Sequence, residues 1–245
     1  MSFNLDEIIA NVRGITEHSA IRKITRHFSY RSCLKLYVVI PYWTATMSQF
    51  PMQVLTKRIL NAGYSCLIYQ FPKRILSDNI YLTQEYFKEI QEEIKQDIKD
   101  IKKKHNFEEI SVIGISLGCV NALMVANKNP DINNVFLVVP GDSLSDSLWR
   151  GVGTVRLKSQ IKKHKINLEE LEKEWKNLDP KNNIDSLFDK KIEIHLSKSD
   201  KVIPYTNGHR LVADMEETGL HPSVFTNNKL GHYLTFLKFI FFNKF

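Results

Sequence analysis

A serine flanked by glycines is the first feature with chemical content: Gly114-Ile115-Ser116-Leu117-Gly118. A serine hydroxyl attacks a carbonyl carbon only when a base takes its proton. It must also be presented at the tip of a sharp turn, and the local pattern supplies one. Residues 110–113 read as a strand, and Cys119-Val120-Asn121-Ala122-Leu123-Met124-Val125 reads as a helix. A side chain at either glycine would collide with that strand or helix. The helix N-terminus beneath the serine adds positive potential and free N–H groups. A base candidate follows downstream. His232, in Leu230-Gly231-His232, lies after the last short strand and before a closing helix. The acid that would orient it is read as Asp200, in Ser197-Lys198-Ser199-Asp200-Lys201-Val202-Ile203-Pro204, with Asp142 as the alternative. Both aspartates follow strand ends, where ligands collect in open α/β sheets. Asp142 also reads as a loop turn or helix cap.

The elements that must position these residues alternate. Apolar runs at 34–40, 64–69, 110–113, 135–139, 192–196 and 223–226 read as strands, and 22–30 supplies one or two more. Helices are expected over 3–13 with Asn4 as cap, 50–62 stopped by Gly63, 83–104, 118–128, 206–218 and from Tyr233 onward. The alternation predicts an α/β fold: a mostly parallel central sheet flanked by helices. Residues 141–187 break the rhythm, being polar, lysine-rich and home to Trp149 and Trp175.

From about Leu34 onward the chain resembles the α/β-hydrolase superfamily, of the small serine esterase or lipase-like type. The matching residues are the Ser116 turn, the segment ending Asp200-Lys201-Val202-Ile203-Pro204, Gly231-His232, and Ala62-Gly63-Tyr64 before an apolar strand. The resemblance implies a Ser116, Asp200, His232 triad that cleaves a carboxylic ester or thioester through an acyl-enzyme. It implies an oxyanion N–H from Leu117 and a second from the loop after the strand at 34–40. Where the family often has His-Gly, this chain has Pro41-Tyr42-Trp43, so Tyr42, or else Trp43, is expected to donate. It also implies a division into an α/β-hydrolase core, 1–140 and 188–245, and a helical cap over 141–187 within the same domain. Trp149 or Trp175 would then face the ligand, and Lys158, Lys162, Lys163 and Lys165 would favour an anionic substrate or form a solvated face. The alternatives are an acyltransferase and an inactive binding protein on the same fold. Gly141-Asp142-Ser143-Leu144 spells the signature of the unrelated GDSL hydrolases, but lies mid-chain, and Lys229 stands where that family's aspartate precedes the histidine.

Bulk properties narrow the classes. The chain has 245 residues, 43% hydrophobic and 25% charged, which suits one large α/β domain. Its net charge of +7 is dispersed among acids. The run from Lys88 to Lys104 carries isoleucines at helical spacing, so its charges form a solvated face and no nucleic-acid partner is expected. The cysteines, Cys33, Cys66 and Cys119, form no CxxC pair and read as buried thiols of a reducing compartment. No basic leader is seen at Met1–Glu7, and the apolar tail from Tyr233 is too short to span a bilayer, so a cytoplasmic protein without stable membrane insertion is expected. The closing aromatics, including Phe236 and Phe239, read as core. No metal-ligand spacing and no phosphate-cradling loop is present, so no cofactor is expected; the resemblance implies a small ester-like molecule as the partner.

Overall fold

The computed structural model describes residues 24–71 and 75–245, so the helix expected over 3–13, with its Asn4 cap, lies outside the described residues. The strands are β1 (Thr25–Ser29), β2 (Lys35–Ile40), β3 (Ser65–Gln70), β4 (Glu109–Ile115), β5 (Asn134–Val138), β6 (Lys191–Ser197) and β7 (Ser223–Asn227). They form one sheet in the order β1-β3-β2-β4-β5-β6-β7. β1 runs antiparallel to β3, and every other pairing is parallel.

The helices are α1 (Phe50–Asn61), α2 (Ile80–Lys104), α3 (Gly118–Asn127), α4 (Leu144–Arg150), α5 (Val155–Lys163), α6 (Leu168–Trp175), α7 (Tyr205–Glu217) and α8 (Gly231–Phe242). Period-two alternation in the strands divides them between two faces. In β2, Leu36, Val38 and Ile40 join a core with Phe87, Ile90 and Ile94 of α2, residues of α3, and Leu211 of α7. Tyr37 and Val39 point the other way, onto Met52, Leu55 and Ile59 of α1 and Phe236, Phe239 and Ile240 of α8. Helix α2 begins earlier than the charge pattern indicated, because the Asn79 side chain caps it by accepting from the Leu82 N–H at 3.2 Å.

Between β5 and β6 the chain forms α4, α5, α6 and short 3-10 turns. The serine of Gly141-Asp142-Ser143-Leu144 is the N-cap of α4, accepting from the Asp146 N–H at 3.2 Å. Trp175 is fully buried and donates its indole N–H to the Ile80 carbonyl at 2.9 Å, tying α6 to α2. Lys158 and Lys162 sit over the Trp149 ring, and Lys158 also donates to the Trp149 carbonyl. Both tryptophans of this segment are thus engaged in packing.

Asp179 fastens this segment. It is buried, accepts from the Leu144 N–H at 2.8 Å, and burial pushes its carboxyl up to about 6 from an ordinary 3.8. A group whose folded pKa is raised favours the folded state below its unfolded value and loses that contribution as pH rises through the folded one. Asp179→Asn keeps an acceptor for Leu144 and carries no charge. Chemical denaturation should therefore find wild type and variant close at about pH 3.5 and below, with the variant gaining as pH rises from about 4 to 6.5 and level above that, by up to about 3 kcal/mol from a shift of about two units. A difference that stays flat across that range would refute the assignment.

Candidate active site

Ser116 and Asp200 lie in the turns after β4 and β6, and His232 in the first turn of α8, which follows β7, all at the C-terminal edge of the sheet. Ser116 has φ 54°, in the left-handed region that L residues avoid at a cost of about 1–2 kcal/mol. Its N–H donates to the Val138 carbonyl at 2.8 Å, which pins the turn to the neighbouring strand. The flanking glycines are steric necessities. A Cβ at Gly114 would lie 2.7 Å from Ala122 Cβ and from Cys119 Cα; one at Gly118 would lie 2.1 Å from the Ile40 carbonyl oxygen and 2.6 Å from that of Pro41. Helix α3 thus starts hard against the loop that follows β2.

Asp200 and His232 are both buried. Asp200 Oδ1 accepts from the N–H groups of Val202 and Ile203 at 2.9 and 3.0 Å. Its other oxygen, Oδ2, lies 2.7 Å from His232 Nδ1. A carboxylate can only accept, so the network assigns the proton to Nδ1. Nε2 is then bare and faces Ser116 Oγ at 2.9 Å, where the hydroxyl donates to it. The two loops are also tied to each other. Gly231 N–H donates to the hydroxyls of Ser197 and Ser199, and Asn227 Nδ2 donates to the Leu196 carbonyl and to Thr235 Oγ1.

Asp142, the alternative acid, is not part of this arrangement. Its carboxylate is held by Arg210 at 2.7 and 3.0 Å. Arg210 also pairs with Asp146, and its guanidinium is shifted upward chiefly by the bond to Asp142. Cys119 lies in the first turn of α3, but its thiol points back to the carbonyls of Gly114 and Val138, and burial raises its pKa far out of the thiolate range. Burial likewise pushes Cys66 up to about 12.

A cavity of about 160 Å³ opens over Ser116 and His232. Leu117, Tyr42 and Trp43 line it, beside Thr44, Leu76, Tyr233 and Phe236. The loop from Pro41 to Ala45 is a tight turn: Ala45 N–H donates to the Tyr42 carbonyl at 3.1 Å, and Thr44 has φ 66°. The Tyr42 hydroxyl donates to Gln49 Oε1 at 2.6 Å, and its ring stacks on Phe236. The N–H groups of Leu117 and Gly118 stand at a helix start, where no intrahelical carbonyl faces them. From the segment between β5 and β6, the lining residues are Leu144, Ser147, Leu148, Gly153 and Thr154. Trp149 and Trp175 are not among them, contrary to expectation, and the lysines of α5 do not reach the cavity. Among the described residues no Lys, Arg, Asp or Glu lines it. No local sequence signal pointed to Leu76, which precedes α2, or to Ser147 and Thr154 of the segment between β5 and β6.

Among the described residues no cluster of His, Cys, Asp and Glu has the makings of a metal site, and no helix is long and apolar enough to cross a membrane.

No family model and no curated protein matches this chain. Solved structures do. The esterase Pf2001 of Pyrococcus furiosus superposes with a TM-score of 0.59 at 14% identity, over 84% of this chain and 75% of that one. Est1E from Butyrivibrio proteoclasticus gives 0.60 at 11%, over 85% and 86%. The acylaminoacyl peptidase of Pyrococcus horikoshii gives 0.65 at 14%, over 85% of this chain but only 35% of the peptidase. At such identities the likeness speaks to architecture: the chain has the α/β-hydrolase fold.

Proposed function

We propose that this α/β-hydrolase-fold chain is a serine hydrolase that cleaves a small carboxylic ester or thioester. One observation carries the reading: the Ser116 hydroxyl is hydrogen-bonded at 2.9 Å to the bare nitrogen of a buried imidazole whose other nitrogen is held by Asp200. In this reading Ser116 Oγ attacks the substrate carbonyl while His232 Nε2 takes its proton. The tetrahedral oxyanion is received by the Leu117 N–H and by an N–H of the Tyr42-Trp43 turn. His232 then protonates the leaving alcohol or thiol. A water, deprotonated by the same nitrogen, releases the acid and restores Ser116. Asp200 stabilises the imidazolium in both halves. The uncharged lining favours a neutral acyl group over the anionic substrate that the lysines of α5 suggested. About 160 Å³ corresponds to roughly five water volumes at ~30 Å³ each, enough for a short chain. The segment over 141–187 acts as a cap on substrate choice through its 144–154 portion.

The test is covalent labelling by a fluorophosphonate probe together with turnover of p-nitrophenyl esters of increasing chain length. A folded wild-type chain that neither reacts with the probe nor hydrolyses any ester would sink the proposal. A second result is expected from Asp200→Asn. The two backbone N–H groups will keep the amide oxygen, turning the –NH2 toward His232. Nδ1 must then accept, the proton moves to Nε2, and the imidazole can no longer take the serine proton. The rate constant kcat should fall by about 10⁴-fold with stability little changed. A loss under tenfold would remove Asp200 from the role.

A further inference from the structure

The cavity wall holds a buried hydroxyl whose proton is unspent, on Ser147. The surrounding bonds fix its state. Asp146 is buried, and although burial alone would raise its pKa, Arg150 and Arg210 outweigh that and keep it ionised. A carboxylate accepts only, so the Asn207 atom 3.0 Å from Asp146 Oδ2 is the amide nitrogen. The same nitrogen lies 3.2 Å from Ser147 Oγ and gives it its second hydrogen. Asn207 is fully buried, so this donor has no other place to go. Ser147 therefore accepts from the protein, and its own O–H has no acceptor there. The hydroxyl of Thr154 differs, because its proton is used on the Leu148 carbonyl at 2.5 Å.

The position is also built sterically. A Cβ at Gly141 would stand 2.5 Å from Ser147 Oγ, so only glycine there leaves room for the hydroxyl. A nearly buried donor on a mostly apolar wall costs free energy until something accepts from it. Once a bound substrate displaces solvent from the cavity, an acceptor on that substrate is the partner left to it.

Resting on the serine-hydrolase reading, we propose that Ser147 is a specificity-determining residue that selects substrates carrying a hydrogen-bond-accepting oxygen, such as an ether or keto group, beyond the reacting carbonyl. An all-carbon isostere leaves the Ser147 donor unmet, and sites built to bond a substrate group reject the analogue that lacks it.

Two isosteric pairs test this. One places the oxygen in the acyl chain (p-nitrophenyl methoxyacetate against butanoate), the other in the alcohol (2-methoxyethyl against n-butyl butanoate). Each kcat/KM ratio is divided by the same ratio for hydroxide hydrolysis. Wild type should prefer the oxygen-bearing member of at least one pair by about tenfold or more. Ser147→Ala should bring that ratio to near unity, as should Ser147→Cys, which keeps the volume and offers only a weak S–H donor. Fluorophosphonate labelling of Ser116 and the thermal midpoint report whether each variant is folded. A wild type without preference in either pair, or a preference that survives in a folded variant, overturns the role of Ser147 and leaves the hydrolase reading intact. Absence of both labelling and turnover in wild type overturns both.

Discussion

Ser116→Ala will abolish ester turnover and fluorophosphonate labelling while the chain stays folded. The lost rate should be on the order of 10⁴-fold or more, because the nucleophile and the only path for its proton go together; what remains is whatever the oxyanion donors do for attack by water. Stability should stay within about 1 kcal/mol. Alanine at φ 54° suffers the same backbone strain as serine, and the change removes one hydrogen bond at the edge of the cavity. Labelling is the sharper readout, since it reports a covalent bond to one oxygen. A variant that still takes up the probe would show that another residue is the nucleophile.

The second large effect is on the fold itself. Gly118→Ala places a methyl group 2.1 Å from the Ile40 carbonyl oxygen and 2.6 Å from that of Pro41. Both obstacles are backbone, so no rotamer change relieves them, and either α3 or the loop after β2 must shift. The expected cost is about 3 kcal/mol or more by chemical denaturation, at the upper end for overpacking. The molecules that still fold should also be poor catalysts, because the shift separates the Leu117 N–H from the Tyr42-Trp43 turn, and losing one oxyanion donor alone costs about 100-fold or more. A Gly118→Ala protein within 1 kcal/mol of wild type and with full kcat would contradict the packing described.

The parts of this site that sequence reveals are those bound to local backbone geometry. Ser116 is readable because its turn demands small neighbours between a strand and a helix. Asp200 is readable because a strand end, a polar turn and Val202-Ile203-Pro204 leave the carboxylate little choice of direction. Asp142 shares the strand-end position, and only the placement of Arg210, far along the chain, separates the two. Ser143 shows the converse. Four residues that spell a hydrolase signature turn out to build a helix cap, because Ser is equally suited to both tasks. Trp149 or Trp175 is expected to face the ligand as part of a cap over 141–187; their partners are the lysines of α5 and the Ile80 carbonyl, the latter far off in the linear pattern and without a side-chain signal. Ser147 had no signal at all. Its meaning depends on Asn207, Asp146 and Gly141 meeting in space, and a linear pattern does not encode which lone pair of a hydroxyl is occupied.

The order in which the site's parts leave the ribosome has a consequence. Ser116 sits in the turn between β4 and α3, near the middle of the sheet, and that turn is braced by β5 through the Val138 carbonyl. Its base arrives on α8, after β6 and β7 are paired. Until α8 is in place, Ser116 lacks the imidazole nitrogen that lies 2.9 Å from its hydroxyl. On the proposed serine-hydrolase reading the hydroxyl would gain its base only when α8 docks, so labelling and turnover would report on completed folding.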